Sequence, residues 1–265
     1  MGATKKLAVV RGGGDLATGV IYSLWKAHFR ILILEIEYPT VVRVNISAAN
    51  AVFTGAADIE GMQVKKINSF RDFDASCEAV QITVSSGTEA IEILKPEVLV
   101  DAIMAKRNIG TRKDMAPIVI GLGPGFTAPF DVHAAVETKR GHFLGRTIYR
   151  GSPEPNTGIP GIVNGCGTER LLRAPCEGFL RPMNCIGDCV CKGEIVAYIG
   201  DEPVVSQIDG IIRGLIHSSV YVRKGMKIGD VDPRKDLNSC FTISDKALAV
   251  GGGVLEAVMY LGGLG

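Results

Sequence analysis

Two glycine-bearing segments hold the residues whose types and spacing could do chemistry. The first reads Val9-Val10-Arg11-Gly12-Gly13-Gly14-Asp15-Leu16-Ala17-Thr18-Gly19 and fits Gly-x-Gly-x-x-Ala. In that pattern one glycine makes a tight turn and a second lets backbone approach a pyrophosphate. A small residue then lets the following helix pack on the strand. Free N–H groups at the helix start meet the anion. Glu35 follows Gly14 by 21 residues, where an acid would accept from a ribose hydroxyl. The candidate cofactor-binding residues here are Arg11, Gly12, Gly13, Gly14, Asp15, Ala17, Thr18 and Glu35. Asp15 would repel a phosphate, so it is read as a helix cap or a cation holder, with Arg11 balancing charge. The competing reading is a tight turn that binds nothing.

The second segment runs Ile120-Gly121-Leu122-Gly123-Pro124-Gly125 and adds Gly121, Gly123 and Gly125 as cofactor contacts. Ligands of open α/β sheets bind beyond the carboxyl ends of strands. Asp101 would end another strand at that edge, and Asp131, His133, Glu137, Thr138, Arg140 and His142 follow soon after. Two histidines among carboxylates suit acid–base work, so Asp101, His133, Glu137 and His142 are the candidate catalytic residues. No metal site is assigned. The competing reading makes His133 a satisfied interior histidine and the rest solvated charges.

These residues need elements to hold them. Residues 7–10, 31–36, 80–84, 98–102 and 118–122 are short apolar runs, as strands covered on both faces would be. Residues 15–29 and 88–94 have helical spacing. Residues 41–46 and 64–67 read as further strands, and 133–137 is expected to pair with 145–149. An internal repeat at an offset of 32 relates Gly178 to Gly210, Arg181 to Arg213, Val190 to Val222 and Gly193 to Gly225. It predicts two strand–turn units packed face to face, resembling a biotinyl/lipoyl-type barrel-sandwich module. The stretch between the halves, 193–209, holds no lysine, which excludes a biotin or lipoate carrier. After residue 235 a helical stripe returns, and glycines 251–253 suggest a close approach to a neighbour. The expected fold is α/β: a Rossmann-like, mostly parallel sheet with a small all-β module and a C-terminal helix. The expected domains are 1–174, 175–234 and 235–265.

Composition narrows the classes. Lys+Arg number 29 against 28 Asp+Glu, which argues against nucleic acid as a partner. No stretch approaches the length of a membrane span. Lys5 and Lys6 precede only a short apolar run, so no export signal is read and a cytoplasmic location is expected. Seven cysteines are then reduced thiols. Cys185, Cys189 and Cys191 lack zinc-ribbon spacing and read as ordinary, partly buried thiols, whereas Cys166 between two glycines is a candidate reactive thiol.

Several blocks together carry a resemblance. Arg11-Gly-Gly-Gly-Asp15, Leu34-Glu35-Ile-Glu-Tyr-Pro39 and Val100-Asp101-Ala-Ile-Met-Ala-Lys106 are similar to the YqeB-type family. So are Asp131-Val-His133, Glu137-Thr-Lys-Arg-Gly-His142, Lys227-Ile-Gly-Asp-Val-Asp-Pro-Arg234 and Ile243-Ser-Asp-Lys246. The resemblance implies an accessory or maturation protein for selenium-dependent molybdenum hydroxylases of the xanthine dehydrogenase kind. It implies NAD(P) or a molybdopterin dinucleotide as cofactor, and a molybdenum hydroxylase or its maturation proteins as partners. An NAD(P)-dependent oxidoreductase using the same loop is the alternative. Whether the chain is an enzyme, and whether it forms a homo-oligomer, stay open.

Overall fold

The computed structural model describes residues 6–156, 158 and 161–263. In chain order the elements are β1 (Leu7–Arg11), α1 (Asp15–Lys26), β2 (Arg30–Glu35), α2 (Asn50–Thr54), β3 (Ala56–Ile59), β4 (Met62–Lys66), β5 (Val80–Val84), α3 (Glu89–Leu94), β6 (Val98–Asp101), β7 (Ile118–Leu122), β8 (Ala134–Val136) and β9 (Thr147–Ile148). There follow β10 (Leu171–Arg173), β11 (Gly178–Pro182), β12 (Cys189–Val190), β13 (Ile195–Ile199), β14 (Glu202–Val205), β15 (Gly210–Leu215), β16 (Tyr221–Val222), β17 (Lys227–Asp232), α4 (Asn238–Phe241) and α5 (Asp245–Leu261). Contacts divide the chain into two units. One holds Met1–Glu37, Ala48–Thr157 and Ile243–Gly265; the other holds Tyr38–Ser47 and Gly158–Thr242.

The first unit is built on a nine-stranded sheet in the order β3-β4-β5-β2-β1-β6-β7-β8-β9. Alternation explains why its central strands are apolar along most of their length. Ala8 and Val10 of β1 face a core shared with Val20, Ile21 and Leu24 of α1 and Val250 and Val254 of α5. Val9 faces the other side, with Ala90 and Ile91 of α3. Strands buried on both faces are largely apolar, and their polar members Arg11, Gln81, Thr83 and Asp101 are buried with them.

Helices α1 and α5 cross where their side chains are smallest. A Cβ on Gly19 would collide with the backbone of Ala247, and one on Gly251 with the Gly19 carbonyl. Gly253 lies likewise against the Gly145 carbonyl. Ser244 caps α5, its hydroxyl accepting from the Ala247 N–H at 3.2 Å. Glycine is normally a weak helix residue. Here its cost is offset by backbone contact that no other residue permits.

Two parts of the expected fold are corrected. First, the sheet is mixed rather than Rossmann-like: β3–β4 and β8–β9 are antiparallel hairpins at its two margins. Among the described residues no α-helix links β6 to β7 or β7 to β8; loops and one 3-10 turn do so. The turn-rich residues 102–117 and 123–133 lack a helical stripe. Second, a barrel-sandwich module is not what the second unit establishes. It contains two antiparallel four-stranded sheets, β10-β17-β15-β12 and β14-β13-β11-β16. The offset of 32 does relate β11 to β15, β12 to β16 and β13 to β17, with each partner in the other sheet. A repeat of this kind specifies strands and turns, not how sheets close. Residues 41–46, expected as a strand, instead end in a 3-10 turn at Val44–Ile46, where the Ser47 hydroxyl donates to the Arg43 carbonyl at 2.8 Å.

No helix among the described residues is long and apolar enough to cross a membrane.

Candidate functional site

Register brings the carboxyl ends of the parallel strands level. Arg11 lies beside Leu34 and Asp101, and Asp101 beside Gly121.

The glycine loop is filled by the chain itself. Gly12 has φ +94°, and a Cβ there would meet the Ala102 carbonyl at 2.9 Å. A Cβ on Gly13 would meet the Ala49 nitrogen at 2.9 Å, and that nitrogen donates to the Gly13 carbonyl at 2.8 Å. The Gly13 N–H donates to Glu35 Oε2 at 2.7 Å, while Glu35 Oε1 accepts from Ile36 at 2.8 Å. Burial nonetheless pushes the Glu35 carboxyl above its ordinary pKa, although both backbone bonds pull the other way. Thr18 is fully buried; its hydroxyl donates to the Gly14 carbonyl and accepts from Ala48 N, each at 2.9 Å. Ala17 is buried against the core. The small residues thus serve the approach of residues 48–49 and 102. The sequence contained that signal only as an Ala-Ala pair far from the motif.

Asp101 is held in a closed network. It is 1% exposed, and it accepts from Arg11 Nη1 at 3.3 Å, Thr111 Oγ1 at 2.5 Å and Ile103 N at 3.1 Å. Arg11, 6% exposed, also donates to Thr111 Oγ1. A carboxylate with three protein donors and almost no exposure is a structural anchor for the loop after β6 rather than an acid or base open to substrate.

The second glycine segment is likewise packed. A Cβ on Gly121 would enter the Phe126 ring, one on Gly123 (φ +72°) would meet Thr138 Oγ1, and one on Gly125 (φ +112°) would strike Arg107. Glu137, buried directly after β8, accepts from Lys139 N and Glu154 N, both at 2.7 Å. His133 precedes β8, so it lies at the opposite end of that strand from Glu137. Its Nδ1 accepts from Val119 N at 3.0 Å. Burial, with Lys113 nearby, holds its pKa below the ordinary histidine value. His142 is exposed and stacks edge-on against Phe143, with ring centres 5.0 Å apart. The four candidate catalytic residues are therefore not one constellation.

Lys246 is a residue that sequence spacing alone does not mark as part of a site. It is the second residue of α5, is half-buried, and lies within electrostatic range of Asp15, Glu137, Arg140 and Asp245. Burial first, and then the Arg140 charge, lower its pKa; the three carboxylates oppose this. Among the described residues Nζ has no hydrogen bond or ion pair. Arg140, by contrast, holds Asp245 in a fork, with bonds of 2.7 and 3.0 Å. Asp15 and Glu137 mark the ends of the β1–α1 turn and of β8, so Lys246 belongs to the carboxyl edge. The first turn of α1 starts from Gly14, which offers no side-chain cap. The signal in the sequence was Ser244-Asp245-Lys246 at a helix start, which reads first as a cap.

A separate cavity of about 550 Å³ is lined by Ile91, Lys95, Pro96, Arg112, Asp114 and Pro117, among others. Pro96 and Pro117 lead into β6 and β7, so it opens toward the amino ends of the strands. All seven cysteines are free thiols, and Cys185, Cys189 and Cys191 are exposed, which corrects their expected burial. No group of three or more ligating side chains among the described residues could hold a metal ion.

No protein-family model matches the chain. It is 44% identical to a protein of Escherichia coli K12 named "Uncharacterized protein YqeB", over 97% of this chain and 48% of that one. The chain thus spans about half the length of the curated relative it matches. Similar solved structures include an aspartoacylase family protein from Mesorhizobium loti and a succinylglutamate desuccinylase/aspartoacylase from Rhodobacter sphaeroides. Their identities are 12% and 14% and their TM-scores 0.26 and 0.28. Each alignment covers 86% of this chain and 85% of the other. Scores this low carry no argument about fold or activity. The expected membership in a selenium-dependent molybdenum hydroxylase accessory family, with its Rossmann nucleotide-binding domain, is corrected accordingly. The relative's name states no such role, the sheet is mixed, and the glycine loop is filled by the chain's own backbone.

Proposed function

We propose that the chain is an accessory, ligand-handling protein that binds a small anion at the carboxyl edge of its nine-stranded sheet, with Lys246 as the contacting group. The observation that carries this reading is the ammonium of Lys246, half-buried near the start of α5 and without a hydrogen bond among the described residues, with Asp15, Glu137 and Asp245 in electrostatic range. A cation in that position is poorly solvated, and an anion would restore what burial removes. The uncapped first turn of α1 adds N–H groups of the same preference. A protein partner that receives or supplies the ligand is part of the proposal, as is a reducing, cytoplasmic setting, which suits seven free thiols. A dinucleotide gains no support from the glycine loop, because Glu35 takes the Gly13 N–H and residues 48–49 take the approach. The oxidoreductase alternative loses its cofactor loop on the same ground.

Isothermal titration with inorganic phosphate and with pyruvate tests the reading. Saturable binding to the native chain is expected, lost in Lys246→Ala and kept in His142→Ala. Absence of binding by either anion, or equal binding by the Lys246→Ala protein, refutes it.

A further inference from the structure

The cysteine cluster of the second unit has no part in the proposed anion site. Cys189 and Cys191 flank Val190, and the structure turns both thiols the same way. Cys189 and Val190 form β12, an edge strand of the sheet β10-β17-β15-β12. Successive side chains of a strand point to opposite faces. Val190 is 2% exposed and faces the interior of the unit, while Cys189 and Cys191 are exposed free thiols. Among the described residues neither thiol has a hydrogen bond, whereas the Cys176 thiol donates to the Ile199 carbonyl at 3.2 Å.

The backbone that carries the pair is fixed on both sides. Cys189 lies opposite Ile211 of β15. The Cys191 N–H donates to Glu194 Oε2 at 2.9 Å, and the Cys191 carbonyl accepts from Glu194 N at 3.0 Å. The next residue, Lys192, donates its N–H to Asp209 Oδ1 at 2.7 Å. A ligand shared by the two sulfurs would therefore order only two short side chains, at small entropic cost.

Distance decides what such a pair can do. Residues two apart along a strand are separated by about 6.5–7 Å. A disulfide needs Cβ atoms about 3.5–4.5 Å apart, so joining the sulfurs directly would bend the edge strand. An ion between them removes that demand. With metal–thiolate bonds of about 2.3 Å, two sulfurs in line lie about 4.6 Å apart, a gap that two cysteine side chains leaning together can span. Cys185 does not complete a larger set, because no group of three or more ligating side chains among the described residues could hold an ion. Zinc takes four ligands in structural sites and is poorly served by two. Cu(I) is a soft ion that thiolates select, and two of them satisfy it.

We infer that Cys189 and Cys191 bind one Cu(I) ion as a two-thiolate site at the edge of the second unit. Each thiol releases its proton to solvent and gives an electron pair to copper. Two S–H bonds break, two Cu–S bonds form, and no oxidation state changes. The product carries one negative charge, and Lys192, exposed and next to Cys191 in the chain, supplies a counter-charge.

The test titrates the reduced full chain with Cu(I) under argon, in competition with the chromogenic chelator bicinchoninate. One Cu(I) per chain is expected. Cys189→Ser and Cys191→Ser should each weaken binding at least about 100-fold, more than the loss of an outer hydrogen-bond partner costs a metal site. Cys185→Ser and Cys166→Ser should bind as the native chain does. Circular dichroism checks the fold of each variant. X-ray absorption of the loaded chain should count two sulfur neighbours around copper. No Cu(I) held against the chelator, one ion per two chains, equal weakening by Cys185→Ser, or three or more sulfur neighbours overturns the two-thiolate site.

Discussion

The Arg11–Asp101 pair decides between two views of this sheet edge, and its perturbation can be sized. Asp101→Ala removes an acceptor of three hydrogen bonds and leaves the Arg11 guanidinium, 6% exposed, with Thr111 as its remaining partner. Breaking a buried pair from one side costs about 3–5 kcal/mol, because the surviving charge has neither water nor counter-ion. Replacing both members by apolar residues of similar size costs far less. The expected order of stability is native, then Arg11→Met with Asp101→Leu, then Asp101→Ala. The chain has one tryptophan, Trp25, in α1, so its fluorescence in a urea titration reports on the first unit. The midpoint should fall with little change in slope. A loss under about 1 kcal/mol for Asp101→Ala would show that Asp101 is not the buried anchor described, and would reopen it as a functional acid.

Other perturbations follow from the same contacts. Gly19→Ala drives a Cβ into the Ala247 backbone at the α1–α5 crossing and should cost at least about 1–3 kcal/mol, read as a lowered Tm by calorimetry. An unchanged Tm would contradict that crossing. Glu35→Gln leaves one of two backbone donors, Gly13 or Ile36, facing an amide N–H₂ instead of an oxygen. A loss of about 1–3 kcal/mol in urea is expected, and a more stable variant would contradict the assigned bonds. His133 has a lowered pKa when folded, so the unfolded chain binds its proton first. Its contribution to stability is complete above the ordinary histidine pKa, and is lost as pH falls from there toward the folded value. His133→Gln should flatten this part of the stability–pH curve, and an identical curve would refute the lowered pKa of the buried ring.

Much of the first unit was legible because burial on two faces leaves a plain trace. Residues 80–84 and 118–122 are strands with the expected limits, and 133–137 does meet 145–149 through β8 and β9. Glycines 251 and 253 do make a close approach. The glycine loop was harder, since a tight turn on a ligand and a tight turn on the chain's own backbone require the same residues. Only the position of Ala48 and Ala49 separates them, and no local spacing encodes that. His133 and Glu137 lie four residues apart, yet the strand between them carries them to opposite edges. Lys246 stayed hidden for a related reason. A lysine after Ser-Asp at a helix start looks like surface capping, and its burial depends on α1, residue 140 and β8 meeting there.

The most direct test of the Lys246 site is its titration in the native chain. Reductive methylation with ¹³C-formaldehyde keeps each lysine's charge and gives each an NMR signal, and comparison with Lys246→Arg assigns this one. The Lys246 signal should titrate below the other lysines, and its midpoint should rise when inorganic phosphate is added, because the anion binds the charged form. A Lys246 signal that titrates with the rest and ignores phosphate would contradict the site.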